Sequence, residues 1–246
     1  MTSSLPAVDA PTPLGPGPQA VLLDMDGTLV DTEGFWWDAE VEVFAALGHR
    51  LAEEHRAVVV GGPMTRSAGY LIEVTGADIT LDALRDLLNA TFLRRLELGV
   101  PLMPGARRLL AELAAHGVPA ALVSATHRAV MDRMLAWLGP ENFALTVAGD
   151  ELPRTKPHPD PYLAAAAGLG ADPARCVAVE DTVTGVTSAE AAGCHVIAVP
   201  SVAAIPPGAG RTVVPSLEAV DLALLRSVAG ARGGDASHSE VAAPPV

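Results

Sequence analysis

Two aspartates separated by one residue, Asp24 and Asp26, follow the apolar run of residues 20–23 and precede Gly27-Thr28. Side chains alternate along an extended segment, so both carboxylates point the same way. In an open parallel sheet, ligands bind at the carboxyl ends of the strands. The pair therefore puts a nucleophilic carboxylate beside an acid/base carboxylate, with room for Mg²⁺ and a phosphate. A plain Asx-turn is the simpler interpretation, because Asp and Gly favour turns.

A hydroxyl group follows a second apolar run. Ser124 ends the stretch of residues 118–123, and Ala125 leads into a helical pattern. A hydroxyl together with the amides of a helix start forms a cradle for a phosphate. Ser124 alone also fits the role of a helix N-cap, so the hydroxyl by itself decides nothing.

One lysine stands out in the composition. Of the 16 basic residues only Lys156 is a lysine, and it lies in a proline-rich segment. Lysine is a compact point charge on a flexible stem, whereas arginine carries a wide planar fork. A small ammonium group fits beside two carboxylates and a phosphate, which gives a reason for lysine at this position. An exposed surface lysine is the alternative.

An acidic pair, Glu180-Asp181, follows a further apolar run at residues 176–179. Mg²⁺ prefers oxygen ligands and usually keeps several waters. Asp181 is therefore a candidate metal ligand, and Glu180 is either a second ligand or a residue that orients one. Helix capping is the competing interpretation for Asp181.

With these four segments in this order, each at the end of a predicted strand, the chain resembles the haloacid dehalogenase superfamily of aspartate-nucleophile phosphohydrolases. The resemblance is to the branch that holds the phosphoglycolate phosphatases and β-phosphoglucomutases. It implies that Asp24 is the nucleophile and Asp26 the general acid/base, while Lys156 and Ser124 bind the phosphoryl group.

The resemblance also implies Mg²⁺ as the cofactor. Its ligands would be Asp24, the backbone carbonyl of Asp26, and Asp181, with Glu180 as a ligand or beside one. The further residues for which we expect substrate contacts are Gly27, Thr28, Trp36, Arg66, Ala125 and His127. For Trp36, Arg66 and His127, ordinary packing or solvent exposure is the alternative.

The repeating pattern of strands and helices predicts the scaffold. Strands are expected near residues 20–24, 119–124, 145–149, 176–180 and 195–199, with helices at 106–116, 129–138, 161–167 and 186–192. This alternation specifies an α/β fold with a Rossmann-like parallel sheet covered on both faces. About 80 residues separate the first strand from the predicted helix at 106–116, which is far longer than an ordinary connection.

That long connection has helical periodicity of its own, at residues 36–47, 51–60, 65–74 and 81–98. It therefore predicts an inserted helical domain, which resembles the α-helical cap of the family's subclass in which the insertion follows the first motif. We expect the cap at residues 32–103, the α/β core at 19–31 and 104–229, and disordered tails at 1–18 and 230–246.

Composition limits the classes of partner. The net charge of −13 argues against nucleic acid, whose phosphates attract basic surfaces. The sequence has no apolar run long enough for a membrane span and no basic, apolar signal peptide at its start. The two cysteines are expected as small core residues, so a cytoplasmic protein follows as the default. A monomer is favoured.

The main functional prediction is a phosphatase that hydrolyses a small phosphomonoester, because a closing cap admits only a small substrate. A β-phosphoglucomutase-like mutase is an alternative, supported by Arg66 in the segment 62–66. Against it, Trp36 stands where that branch carries a histidine, and His127-Arg128 replaces its Lys-Asn pair. A protein that binds a phosphorylated ligand without turnover is the alternative of another class.

Overall fold

A computed structural model of the chain describes residues 17–59, 64–97 and 99–230. Within these ranges, six strands form one sheet in which all neighbours run parallel. The strands are β1 (Ala20–Leu23), β2 (Ala120–Val123), β3 (Leu145–Val147), β4 (Cys176–Glu180), β5 (His195–Ala198) and β6 (Arg211–Val213). Their order across the sheet is β3-β2-β1-β4-β5-β6, which puts β1 between β2 and β4.

Nine α-helices are described in the same ranges. Those between β1 and β2 are α1 (Glu33–Ala46), α2 (Glu53–Val59), α3 (Met64–Thr75), α4 (Leu81–Leu96) and α5 (Ala106–Ala115); those after β2 are α6 (Arg128–Leu138), α7 (Asp160–Gly168), α8 (Val183–Ala191) and α9 (Leu222–Gly230). No helix of the described ranges is both long and apolar enough to cross a bilayer.

The parallel sheet is buried on both faces. Along β1, Val21 and Leu23 pack into one apolar cluster with α5, α6 and α9, whereas Ala20 and Leu22 pack into another with α7 and α8. All four side chains are fully buried. Alternation along a strand that is covered on both sides explains why the run is continuously apolar. The predicted α/β class with a Rossmann-like sheet is confirmed.

The helices α1 to α4 form the predicted insertion. They enclose an apolar cluster of their own, which includes Trp37, Phe44 and Leu71. The two linkers run side by side: the amide of Asp31 donates to the carbonyl of Pro101 at 2.9 Å. The amide of Met103 donates in turn to Leu29 at 2.9 Å. The inserted helical cap is therefore confirmed, while its exact limits at 32 and 103 stay predictions.

Two elements were not predicted. β6 is only three residues long and its side chains are half-buried or exposed, so no apolar run marks it. The helix α9 buries Leu222, Leu225 and Val228 against the sheet, a helical spacing that lies beyond the last predicted strand. The predicted tails at 1–18 and 230–246 fall outside the described residues except for residues 17, 18 and 230.

One carboxyl group is buried among apolar side chains of the cap. Glu40 lies on the apolar face of α1, between Trp36 and Phe44 in the helical repeat, and is only 7% exposed. Within the described ranges it makes no hydrogen bond or ion pair. Burial raises the pKa of Glu40 from 4.5 to about 8, because the ionised form loses its hydration.

We expect Glu40→Gln to stabilise the protein increasingly as the pH rises. The unfolded chain ionises this group near its ordinary pKa of 4.5, whereas the folded protein resists ionisation up to about 8. The wild type therefore loses stability across this interval, by at most about 5 kcal/mol. Thermal unfolding at pH 5 and pH 8 tests this, with the exposed Glu73→Gln as control. An equal effect of Glu40→Gln at both pH values would contradict it.

Candidate active site

The lone lysine lies among three strand ends. The Nζ atom of Lys156 donates to Asp24 Oδ1 at 2.7 Å, to Glu180 Oε1 at 2.6 Å and to the carbonyl of Val123 at 2.9 Å. These acceptors come from the ends of β1, β4 and β2, which are neighbours in the sheet. All three ammonium protons thus have acceptors in the protein, and the side chain is almost completely buried.

Burial and charge act against each other at this site. The pKa of Asp24 rises to about 7, first because the carboxyl is buried and then because Glu180 is close; Lys156 opposes the rise. Burial alone would lower the pKa of Lys156, but the attraction of Asp24 and Glu180 holds it above its usual range. Lys156 therefore remains a cation that offsets part of the acidic charge.

The acidic residues form a candidate metal centre. Carboxylate oxygens of Asp24, Glu180 and Asp181 lie within 4.8 Å of one another, and all three residues are buried. The donor set is entirely oxygen, which suits a hard cation such as Mg²⁺ better than zinc. A Cβ atom at Gly27 would lie 2.1 Å from Asp181 Oδ2, so only glycine leaves room for that carboxylate. The residues fit a divalent metal.

Glu180 has protein donors on both of its oxygens. Oε1 accepts from Lys156 Nζ and from the hydroxyl of Tyr162, each at 2.6 Å. Oε2 accepts from the amide of Asp181 at 3.2 Å and from Thr182 Oγ1 at 3.3 Å. Of the two roles that the sequence left open, this arrangement favours the orienting one over direct metal ligation.

Asp26 is held by hydroxyl groups rather than by a cation. Thr32 Oγ1 donates to Oδ1 at 2.8 Å, while Ser124 Oγ and Thr126 Oγ1 donate to Oδ2 at 3.1 and 2.7 Å. Asp26 itself is half-buried. The contact with Ser124 brings the first two predicted motifs together, as expected for adjacent strands.

The turn after β1 and the loop after β2 are both tight. Gly27 has φ of +77° and donates its amide to the carbonyl of Val30 at 2.8 Å. Thr28 is buried, and within the described ranges its hydroxyl has no partner. Ala125 is exposed, and its carbonyl would lie 1.9 Å from a Cβ at Gly149. Gly27 therefore shapes the turn, and its amide is already engaged.

Three predicted substrate contacts have surroundings of their own in this structure. The Trp36 ring stacks on Phe92 with centroids 3.8 Å apart, and Arg66 is exposed in the first turn of α3. His127 Nδ1 lies 3.5 Å from Asp150 Oδ2 at the edge of the site. Within the described ranges, no hydrogen bond or ion pair joins any of the three to Asp24, Asp26 or Lys156, so their roles stay predictions.

Four polar residues of the site were not predicted as such: Thr32, Thr126, Tyr162 and Ser201. Ser201 Oγ donates to Asp181 Oδ2 at 2.6 Å from the loop after β5. For Thr126 a signal existed, since it lies two residues beyond Ser124 in the same loop. For Tyr162 and Ser201 the sequence offered none, because their proximity arises only from the packing of α7 and the loop after β5.

Comparisons with known proteins agree with this geometry. Residues 18–193 match the family model of haloacid dehalogenase-like hydrolases. Among curated proteins, the bifunctional riboflavin kinase/FMN phosphatase of Arabidopsis thaliana is 34% identical over 74% of this chain, a match that spans 48% of that protein. Hexitol phosphatase B of Escherichia coli is 31% identical over 74% of this chain and 83% of its own length.

Solved structures share the fold. A variant of CbbY from Rhodobacter sphaeroides, crystallised with xylulose-(1,5)bisphosphate, superimposes with a TM-score of 0.73 at 26% identity. The superposition covers 82% of this chain and 96% of that one. The inserted helical domain and the parallel core therefore occur together in a protein of known structure.

We expect Gly185→Ala to displace the Glu180 side chain and to destabilise the protein. Gly185 lies in the first turn of α8, and a Cβ there would come 1.8 Å from Glu180 Oε1. Glu180 is buried and cannot move without losing its donors, so the stability should fall by about 1–3 kcal/mol. Thermal unfolding measures this. The matched control is Gly69→Ala in α3, where a Cβ meets nothing within 4 Å; it should stabilise by about 0.5–1 kcal/mol. Equal shifts in the two variants would contradict the steric argument.

Proposed function

Because this chain belongs to the haloacid dehalogenase-like hydrolases, we propose that it hydrolyses the phosphate ester of a small sugar or sugar alcohol through an aspartyl-phosphate. The chain is a phosphoric monoester hydrolase. The observation that carries the proposal is the 2.7 Å contact between Lys156 Nζ and Asp24 Oδ1, with Asp181 in the same acidic cluster. A nucleophile, a cation for the phosphoryl oxygens and a metal-binding carboxylate are thereby combined.

In the first step, an oxygen of Asp24 attacks phosphorus in line with the leaving oxygen. The Asp24 O–P bond forms while the bond from phosphorus to the leaving oxygen breaks. Asp26 gives its proton to that oxygen, so the product leaves as a neutral alcohol. The hydroxyls of Thr32, Ser124 and Thr126 keep the Asp26 carboxyl group within reach of the site.

In the second step, water attacks the phosphorus of the aspartyl-phosphate. Asp26, now ionised, takes a proton from the water as the Asp24 O–P bond breaks. Inorganic phosphate leaves, Asp24 is again a carboxylate and Asp26 again carries a proton. Lys156 neutralises charge on the phosphoryl oxygens, which is the main electrostatic requirement of phosphoryl transfer.

Mg²⁺ is the divalent cation that we propose for the acidic cluster. Asp24, Asp181 and the backbone carbonyl of Asp26 would hold it, while Glu180 orients Lys156 and the backbone after β4. When bound, it supplies positive charge that draws a phosphate into an otherwise acidic pocket.

The similarity to a hexitol phosphatase and to a CbbY variant bound to a sugar bisphosphate supports a phosphorylated sugar or polyol as substrate. The helical cap supports a small substrate, since closure excludes water and bulky groups. Arg66 is the proposed cap residue that selects substrate through paired donors. Against a mutase, His127-Arg128 stands in place of the Lys-Asn pair of that branch, and Arg128 pairs with Glu151 at 2.7 Å. The monomeric state and the cytoplasmic location stay predictions from the sequence.

We expect Asp24→Asn to abolish phosphate release, lowering kcat by about a thousandfold or more because no covalent intermediate can form. The measurement is hydrolysis of p-nitrophenyl phosphate with Mg²⁺, followed by a panel of sugar and polyol phosphates. Asp78→Asn, an exposed change in the cap, is the matched control.

Equal activity in the wild type and Asp24→Asn would contradict the assignment of the nucleophile. Binding of the phosphorylated panel without release in the wild type would point instead to the non-catalytic alternative. Production of glucose 6-phosphate from β-glucose 1-phosphate in the presence of a bisphosphate primer would point to the mutase.

We expect Mg²⁺ to raise the unfolding temperature, because three buried carboxylates face only one ammonium group. A cation at about one hundred times its dissociation constant stabilises the folded state by about 2.7 kcal/mol. Thermal unfolding with Mg²⁺ and with chelator measures the effect. Asp181→Asn should remove most of it, whereas Asp78→Asn should leave it intact; no Mg²⁺ shift in the wild type would contradict the metal site.

A further inference from the structure

One polar group near the acidic cluster has no part in the reaction described above. Tyr162 lies in the first turn of α7 and is completely buried in the apolar cluster that α7 and α8 form with the sheet. Its hydroxyl donates to Glu180 Oε1 at 2.6 Å. A buried phenol requires such a partner, since an unpaired hydroxyl costs about 1–3 kcal/mol.

The acceptor of this bond is the same atom that holds the lysine. Glu180 Oε1 accepts hydrogen bonds from both the Tyr162 hydroxyl and Lys156 Nζ, each at 2.6 Å. The ammonium group also lies 5.0 Å from the centroid of the Tyr162 ring. Tyr162 therefore meets Lys156 in two ways: through a shared oxygen and through the face of its ring.

We propose that Tyr162 is a positioning residue that sets the place of Lys156 between Glu180 and Asp24; this inference rests on the proposed phosphatase function. A carboxylate oxygen that accepts from two donors divides its charge between them. Without the phenol, Oε1 would have Lys156 as its only donor and would draw the ammonium group toward itself. The positive charge of Lys156 would then lie farther from Asp24 and from the phosphoryl group.

The phenol hydroxyl is not needed for packing. The ring belongs to the same buried apolar cluster as the small side chains of Ala165, Ala166 and Cys194, and phenylalanine would place the same ring there. The hydroxyl contributes one contact, and this contact is directed at the carboxylate that holds the catalytic cation. Its effect should therefore appear in the reaction more than in the stability.

The first experiment compares Tyr162→Phe with the wild type. We expect kcat to fall about tenfold while KM changes by less than about twofold, because charge placed on the transferring oxygens counts most in the transition state. Tyr70→Phe is the matched control: it removes the other tyrosine hydroxyl of the chain, which bonds His55 Nδ1 in the cap at 3.1 Å. A kcat for Tyr162→Phe within twofold of the wild type would overturn the proposal.

The second experiment does not need activity. Lys156 is the sole lysine, so protein grown with ¹⁵N-labelled lysine gives a single side-chain ammonium signal. We expect that signal to shift, and its protons to exchange with water faster, in Tyr162→Phe but not in Tyr70→Phe. An unchanged signal overturns the proposal, even if kcat falls.

The two measurements separate this inference from the proposed function. Should the wild type release no phosphate from any ester, the phosphatase proposal fails, and the ammonium signal alone decides whether Tyr162 positions Lys156. Circular dichroism and thermal unfolding confirm that each variant is folded. A moved signal together with an unchanged kcat would also overturn the proposal, because positioning without an effect on the reaction is only structural.

Discussion

The site depends on one buried cation that must balance more than one buried anion. Among the described residues, Lys156 is the basic side chain that meets Asp24 and Glu180 at hydrogen-bond distance, while Asp181 lies close by. Removing an ion from water is costly unless its partners are well placed. The deficit of positive charge left after this pairing is what suits the cluster to a divalent metal ion. The close approach of Gly27 to Asp181 and of Gly185 to Glu180 follows from the need to fit these carboxylates together.

The side chains at the strand ends form two separate networks, one of charged groups and one of hydroxyl hydrogen bonds. Asp24, Lys156, Glu180 and Asp181 form an ionic group in which every contact involves charge. Asp26 stands outside it, and hydroxyl groups from the first linker and from the loop after β2 hold it instead. Two carboxylates only two residues apart thus have different surroundings, which suits the separate nucleophile and acid/base roles proposed for them.

The proximity of most candidate site residues could be inferred from the sequence, because these residues lie in short segments directly after strands. An apolar run or a recognisable turn precedes each of Asp24, Ser124, Lys156 and the Glu180-Asp181 pair. A parallel sheet brings such positions to one edge. Tyr162 and Ser201 could not be inferred, because they reach the site through the packing of distant segments. The short β6 was missed for a related reason: its neighbours in the sheet, rather than its own composition, make it a strand.

The paired linkers, Leu29 to Asp31 alongside Pro101 to Met103, have a consequence for how such a protein can diversify. The segments that enter and leave the cap are hydrogen-bonded neighbours. The whole cap is therefore inserted at a single point of the core. Exchange of the cap for another of different length or composition would leave every strand pairing in register. A change of substrate selectivity can therefore come from replacing the cap, while the α/β core with its acidic cluster stays the same.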